Sequence, residues 1–254
     1  MKKLFVTAII MVFLSGCSYS EFKLAQHKTD VDVTDREGKE RVERPEEIVV
    51  LEEELGEEEL EMEINLGVPF YSQAPHGDWG MPYQEACEEA SLLLAWYYVQ
   101  GEWPSIDEFE ADELAMVGWE TEYFGQYEHT DITQTAEMAS VYLGFDNWQI
   151  LENPTAEDLK AELAAGNPIV APFAGRYLGN PYFTGLGPVY HMLVIRGYDE
   201  DEFITNDVGT RHGENFVYSY DTLINALHDW DDSASYDDEG ILNGGKRVLV
   251  LRSE

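Results

Sequence analysis

The chain has 254 residues and a formal net charge of −36, from 51 acidic and 15 basic side chains. Such an excess of negative charge cannot neutralise phosphate groups, and we therefore exclude nucleic acid as a partner and do not expect attraction to anionic lipid headgroups. Aromatic residues make up 13% of the chain, which is enough to build a hydrophobic core in at least one globular domain.

The N-terminus reads as an export signal. Residues 1–3 are Met-Lys-Lys, and residues 4–14 are almost continuously apolar, a run too short for a helix of roughly 20 residues that spans a membrane. Residues 14–17, Leu-Ser-Gly-Cys, resemble the lipobox of bacterial lipoproteins. The resemblance implies that residues 1–16 are a signal peptide and that Cys17 carries a lipid anchor, which holds the protein outside the cytoplasm at the cell membrane. An ordinary cleaved signal or a short anchor is the alternative.

The segment after the signal is strongly acidic. Ten glutamates and no basic residue lie between positions 46 and 63. Because like charges repel, such a segment stays extended or only weakly helical. We therefore predict an acidic tether over residues 17–66 and one folded domain over residues 67–254.

Within the domain, helix-forming segments come before most of the strands. The patterns predict a short strand at 67–73, helices at 86–99, 105–116, 131–143 and 155–165, and strands at 168–173, 189–198, 202–206 and 246–251. Apolar residues on every face of segment 86–99 predict a buried central helix. Helices followed by a sheet indicate an α+β fold.

Cys87 lies in the first turn of that central helix. If Cys17 is lipidated, no disulfide can form within the chain, and Cys87 is a lone thiol outside the cytoplasm. A thiol is a nucleophile only as the thiolate, which the N-terminus of a helix favours and which the neighbouring Glu88 and Glu89 disfavour. An activated Cys87 therefore requires an imidazolium partner.

Among the six histidines, His191 differs because it begins an apolar strand. If the strands 189–198 and 202–206 form a hairpin through residues 199–201, Asp207 lies beside His191 at one end of the sheet. A carboxylate there orients the imidazole ring and stabilises its protonated form. A histidine whose polar atoms are simply satisfied in the core is the alternative interpretation.

Three segments resemble the C39-like, papain-fold cysteine peptidases. The first comprises residues 68–75, Trp79 and residues 87–91; the second is residues 187–199, and the third is residues 203–210. The resemblance spans roughly residues 67 to 251. It implies a papain-like fold with Cys87 as nucleophile, His191 as general base and acid, and Asp207 as the orienting carboxylate. It also implies that Gln73 joins the Cys87 backbone N–H in the oxyanion hole.

Two positions depart from the bacteriocin-processing branch of this family. That branch has a glutamine six residues before the cysteine, where this chain has Met81, and a glycine after it, where this chain has Glu88. Gln84 is closer to Cys87 than Gln73 is, and it competes for the oxyanion role, although we favour Gln73. Cleavage of double-glycine leaders is therefore not inferred.

We expect a membrane-anchored cysteine peptidase that hydrolyses peptide or amide bonds of a peptide or protein substrate through a thioester. A catalytically silent domain that binds peptides or cell-wall fragments is the main alternative, and a cell-wall amidase is the second. No histidine and cysteine spacing suits a zinc site, and we expect no cofactor or metal. Residues 175–187 are expected to form a flexible segment beside the site, residues 229–239 a solvated acidic loop, and Trp79 part of the cleft.

Overall fold

The computed structural model describes residues 63–253. The predicted signal peptide, the predicted lipid-anchor residue Cys17 and nearly all of the predicted tether lie outside the described residues. Among residues 63–253, no helix combines the length and the apolar content that a membrane crossing requires.

The structure contains six α-helices in the described part of the chain. They are α1 (Cys87–Gln100), α2 (Ile106–Tyr123), α3 (Ile132–Glu137), α4 (Ala156–Ala164), α5 (Gly175–Leu178) and α6 (Tyr220–Ala226). Ser105, Asp131 and Thr155 each begin a helix with a reciprocal capping box. The four predicted helices are therefore present, but the third is divided, because α3 continues as a π-helical turn over Met138–Tyr142.

The central helix is α1, as the sequence predicts. Most of its residues are buried on all sides of the helix axis, and it packs against the central strand of the sheet. It ends at Gly101, whose φ of 69° is left-handed and favours glycine. Cys87 is the first residue of α1, so its side chain is fixed by the most buried helix of the domain.

The strands form one antiparallel sheet, and most of them follow the first three helices in the sequence. Its strands are β1 (Ile64–Asn65), β2 (Trp148–Glu152), β3 (Ile169–Ala174), β4 (Tyr190–Tyr198), β5 (Glu202–Asn206), β6 (Phe216–Ser219) and β7 (Arg247–Leu251). The spatial order is β2-β7-β3-β4-β5-β6, and β1 pairs with the end of β4. Helices that carry the cysteine, followed by this sheet, confirm the predicted α+β class.

The sheet is covered on both faces. Alternate residues of β3, β4 and β7 contribute to a core with α1, α2 and α3 on one face and to a second core with α4 and α6 on the other. As a result β3 and β4 are buried along their whole lengths. Such strands read as continuous apolar runs, which explains why both were predictable.

β4 and β5 form the predicted hairpin. The turn is closed by the backbone N–H of Asp199, which donates to the carbonyl of Glu202 at 2.9 Å, and Val194 pairs with Asn206. A bulge at residues 195–197 brings Gly197 against β1, where a Cβ atom would lie 2.1 Å from a backbone oxygen. The hairpin places the first residues of β4 beside the residues that follow β5.

The prediction of a strand at residues 67–73 is wrong. The chain pairs with β4 only at residues 64–65 and then runs irregularly. The Nδ2 atom of Asn206 donates to the carbonyls of Val68 (3.3 Å) and Pro69 (2.9 Å), and Pro69 has no N–H to offer a neighbouring strand. Side-chain donors therefore replace a strand ladder in this segment.

Candidate active site

Cys87 begins α1 and is 6% exposed. Its Sγ donates to Oε2 of Glu88 at 3.0 Å. Burial is the largest cause that raises the pKa of Cys87, and the charge of Glu88 and this hydrogen bond add to it, against a smaller opposing contribution from the backbone N–H of Met192. This arrangement favours the protonated thiol.

His191 and Asp207 form a buried pair. Nε2 of His191 lies 2.7 Å from Oδ1 of Asp207, which also accepts the backbone N–H of Gly209 at 3.0 Å. The other carboxylate oxygen accepts from the hydroxyl of Tyr218 at 2.6 Å and from Nδ2 of Asn180 at 2.8 Å. All the strong acceptor positions of this carboxylate are therefore occupied by donors.

These partners keep Asp207 ionised. Burial alone would raise the pKa of Asp207, but the positive charge of His191 and the hydrogen bonds from His191, Tyr218 and Asn180 outweigh it and lower the pKa. An ionised carboxylate can only accept, so Nε2 of His191 carries a proton. When the ring is neutral, its lone pair is consequently on Nδ1, the nitrogen that can take a proton from a nucleophile.

Cys87, His191 and Gln73 line one cavity of about 500 Å³, and Asp207 lies behind His191. The structure thus brings the four predicted catalytic residues into one region. Their catalytic roles stay predictions. Trp79 also lines the cavity, at the position expected of a cleft residue.

Gln73 is almost completely buried, and its side-chain amide forms hydrogen bonds with the loop before α1. Nε2 donates to the backbone carbonyls of Tyr83 (2.9 Å) and Gln84 (3.0 Å), while Oε1 has no hydrogen-bond partner among the described residues. The competing residue, Gln84, lines the same cavity with an exposed side chain that donates to Glu85 at 3.2 Å. Which glutamine serves the oxyanion stays open.

His129 is a cavity residue that the sequence did not single out. Its ring stacks on Trp230 with centroids 4.5 Å apart and lies 4.7 Å from the ring of Tyr236. Burial is the largest cause that lowers the pKa of His129, against the opposing charge of Glu85. The stacked rings of His129, Trp230 and Tyr236 therefore form an aromatic surface at the cavity. Their stacking depends on the fold and has no sequence pattern.

The glycine-containing segment 175–187 lies beside the cavity, as expected. Arg176 pairs with Asp238 at 2.6 Å and donates Nε to the carbonyl of Gly187 at 3.1 Å. Phe183 meets the ring of His191 edge-on with centroids 5.3 Å apart. The segment is thus joined both to the histidine and to the acidic loop, and a gating role stays a prediction.

The acidic loop at 229–239 is not solvated at its first residue, and the prediction is wrong there. Asp229 is buried, accepts the backbone N–H groups of Ile132 (3.0 Å) and Trp230 (2.9 Å), and pairs with Arg247. Burial raises the pKa of Asp229 to about 6, although Arg247 opposes the shift. In the part of the chain that the structure describes, no three acidic, histidine or cysteine side chains are arranged to hold a metal ion.

Four buried carboxyl groups lie behind the cysteine, and we call Glu88, Glu89, Glu113 and Glu120 the glutamate cluster. Thr130 connects two of them, since its N–H donates to Glu88 at 3.0 Å and its hydroxyl to Glu120 at 3.1 Å. The carboxyl oxygens of Glu89 and Glu113 have no hydrogen-bond partner among residues 63–253.

Burial is the largest cause of raised pKa values throughout the cluster. It raises the pKa of Glu88 to about 7 and those of Glu113 and Glu120 to about 9, and it places the pKa of Glu89 well above its usual range. Sequence reasoning treated Glu88 and Glu89 as charges that repel a thiolate. The structure instead buries them where the neutral form is favoured.

A thiol at the start of a buried helix, followed by a sheet that carries a histidine–carboxylate pair, defines a papain-like cysteine-peptidase fold. The sequence matches the model of the Peptidase_C39 like family over residues 65–236, which is more than half of the chain. The protein belongs to this family.

Two solved structures are similar to this chain. A crystal structure of a C39-like peptidase from Bacillus anthracis is 16% identical, with a TM-score of 0.50, and the match covers 76% of this chain and all of that one. Xylellain, a cysteine protease from Xylella fastidiosa, is 15% identical, with a TM-score of 0.48 and coverage of 77% and 87%. A search of curated proteins finds no match.

Proposed function

We propose that this protein is a cysteine peptidase that hydrolyses peptide or amide bonds through a thioester on Cys87. The observation that carries the proposal is the buried His191–Asp207 pair, 2.7 Å apart, whose histidine lines the same cavity as Cys87. Membership of a family of cysteine peptidases supports the same chemistry and implies a peptide or protein substrate.

The reaction begins with transfer of the Cys87 proton to Nδ1 of His191, and Asp207 stabilises the resulting imidazolium through Nε2. The thiolate attacks the scissile carbonyl, and His191 returns the proton to the leaving amine. A water molecule, deprotonated by His191, then hydrolyses the thioester. The backbone N–H of Cys87 at the start of α1 is suited to bind the oxyanion. Gln73 can assist once its amide releases one of its two carbonyl partners.

Peptide hydrolysis by the full chain tests this proposal. With Cys17→Ser, Cys87 is the one remaining thiol. We expect cleavage of a mixed-sequence peptide library by this protein and no cleavage by its Cys87→Ala or His191→Ala variants. Purified peptidoglycan offered in parallel distinguishes a cell-wall amidase. Cleavage that survives Cys87→Ala would contradict the proposed nucleophile.

A catalytically silent, peptide-binding domain is the second candidate. It is favoured by one observation, the hydrogen bond that the thiol donates to Glu88 rather than to His191. A silent domain would bind peptides with the same affinity in the parent protein and in the Cys87→Ala variant. Neither protein would release a cleavage product. Measuring both binding and product on the same library separates the two candidates.

We further propose that Cys17 is lipidated and anchors the protein outside the cytoplasm. The Leu-Ser-Gly-Cys sequence at residues 14–17 supports this proposal. Expression of the full chain in a bacterium that is fed a labelled fatty acid is expected to yield labelled protein in the membrane fraction. The Cys17→Ser variant should carry no label, and a labelled variant would contradict the assignment.

A further inference from the structure

Glu88 contacts the nucleophile directly, and the proposed reaction does not use it. Its Oε2 lies 3.0 Å from Cys87 Sγ, its Oε1 accepts the N–H of Thr130 at 3.0 Å, and the side chain is 1% exposed. The hydroxyl of Tyr190 in turn fixes Thr130 by donating to its carbonyl at 2.9 Å. The carboxyl group is therefore held against the sulfur by partners on its other side.

This geometry conflicts with a thiolate if Glu88 is ionised. Two anions at this separation, both shielded from water, repel strongly. The conflict disappears if Oε2 carries a proton, because a carboxylic acid can donate to the thiolate while Oε1 still accepts from Thr130. The same contact can therefore hold either a thiol beside a carboxylate or a thiolate beside a carboxylic acid.

We propose that Glu88 is a positioning residue and that the reactive form of the site has a neutral Glu88 whose Oε2–H donates to the Cys87 thiolate. The thiol proton moves to His191, and the proton on Glu88 comes from solvent, so charge and protons balance. This inference rests on the proposed peptidase function, because it concerns the state of the same thiol.

The surroundings of Glu88 favour its neutral form. The groups that face it are other acids and phenols from the elements around it: Cys87 and Glu89 on α1, Glu85 just before α1, Glu120 on α2, Tyr127 in the loop after α2, Tyr190 on β4 and Tyr236 in the acidic loop. None of the described lysine or arginine side chains forms an ion pair with Glu88. Arg176, His129 and His191 line the same cavity, but within the described residues none of them forms an ion pair with Glu88.

The proposal predicts an unusual pH profile. An ordinary cysteine–histidine pair keeps its thiolate as the pH rises, since deprotonation of the histidine does not return a proton to sulfur. Here the pKa of Glu88, raised by burial to about 7, marks the pH above which Glu88 ionises. Above that pH the thiolate loses its donor and gains a repelling charge. The thiolate fraction should therefore fall between about pH 7 and pH 8.5 and recover only at higher pH.

The test compares Cys87 in the full chain, with Cys17→Ser, to its Glu88→Gln and Glu113→Gln variants. The rate of alkylation by iodoacetamide and the ultraviolet absorbance of the thiolate are measured from pH 5 to pH 9. Glutamine donates through Nε2 at every pH, so Glu88→Gln should remove the fall and react about tenfold faster than the parent near pH 8.5. Glu113→Gln removes a carboxyl group of the same cluster with no bond to Cys87 and should retain the fall.

The outcomes are distinct. A parent protein that keeps its full thiolate absorbance from pH 6 to pH 9 overturns the proposal, whether or not either variant folds. A fall that persists in Glu88→Gln, or that disappears in Glu113→Gln, also overturns it. A parent with no reactive thiolate at pH 5–6 contradicts the peptidase function itself, so failure of the inference and failure of the function are distinguishable.

Discussion

The pKa values of buried carboxyl groups are shifted in opposite directions on the two sides of the candidate site. On the sheet side, Asp207 accepts four hydrogen bonds, from His191, Gly209, Tyr218 and Asn180, and its pKa is lowered. On the helix side, Glu89 and Glu113 are equally buried, have no hydrogen-bond partner within the described residues, and their pKa values are raised. For these three equally buried groups, the presence or absence of hydrogen-bond donors therefore determines the direction of the pKa shift.

This contrast suits the proposed chemistry. A fixed negative charge behind His191 stabilises an imidazolium, whereas a second negative charge behind Cys87 would oppose the thiolate. Because their pKa values are raised, the glutamates on the helix side oppose the thiolate less at acidic pH than ordinary glutamates would. The site therefore has a carboxylate with a lowered pKa beside the base and carboxyl groups with raised pKa values on the side of the nucleophile.

The largest predicted effect comes from removing the charge on the sheet side. Asp207→Asn retains the shape of the side chain but replaces an acceptor with an amide, which cannot stabilise the imidazolium. We expect kcat/KM for peptide hydrolysis to fall by about 10²- to 10⁴-fold. Asp201→Asn, a matched change at the exposed hairpin turn, should leave the rate unchanged. An active Asp207→Asn protein would show that His191 works without this carboxylate.

A smaller effect is expected from removing one donor of Asp207. Tyr218→Phe deletes the hydroxyl that donates at 2.6 Å, which should raise the pKa of Asp207 toward its usual range. A lost hydrogen bond to a charged group corresponds to roughly 1.5–3 kcal/mol, and we expect kcat/KM to fall about tenfold or more. Tyr177→Phe removes an exposed hydroxyl bonded to Asp238 and serves as the control. Equal rates for the two variants would contradict the role of Tyr218.

The helix side can be tested through the pH dependence of stability. The folded-state pKa of Glu113 is raised to about 9, above an unfolded value near 4.3, so the folded protein binds more protons between these limits. The free energy of unfolding should therefore decrease as the pH rises from 5 to 9. Glu113→Gln should flatten this decrease and stabilise the protein at pH 9 by on the order of 1–3 kcal/mol.

Urea unfolding at pH 5 and pH 9 measures this effect. Glu122→Gln, an exposed change on the same helix, should keep the slope of the parent protein. A parent whose free energy of unfolding rises toward pH 9, or a Glu113→Gln variant with the parental slope, would contradict the account of the glutamate cluster.

The smallest effect is expected at the rim of the cavity. Arg176 and Asp238 pair at 2.6 Å, but their side chains are 33% and 48% exposed. Water screens such a pair, and a double-mutant cycle with Arg176→Gln and Asp238→Asn should give a coupling energy of about 1 kcal/mol or less. A much larger coupling would indicate that this contact, rather than the buried pairs, fixes the segment beside His191.

Much of the fold could be predicted because its patterns are local. The sequence predicts α1 from its apolar residues on every face, and it predicts β3 and β4 from their largely apolar runs. The capping box at Thr155 marks the start of α4. β2 and β6 were missed because each is at most five residues long and only partly buried. A short strand of this kind is stabilised by its neighbours rather than by its own sequence.

The site could be predicted only in part for a similar reason. The hairpin of β4 and β5 connects His191 to Asp207 over a short stretch of chain, which sequence can indicate. Asn180 and Tyr218 reach Asp207 from a loop and an edge strand, and no spacing marks them. The raised pKa of Glu88 comes mainly from its burial in the folded domain, so a sequence pattern shows only a charged residue beside a thiol.

The most direct test of the central claim is the rate at which iodoacetamide alkylates Cys87 near pH 6, in the full chain with Cys17→Ser, with and without His191→Ala. The account predicts a rate typical of a thiolate well below the free-thiol pKa of about 8.5, and its loss in the His191→Ala variant. A slow rate near pH 6 that His191→Ala leaves unchanged would show that no cysteine–histidine pair forms, and the proposed peptidase would be contradicted.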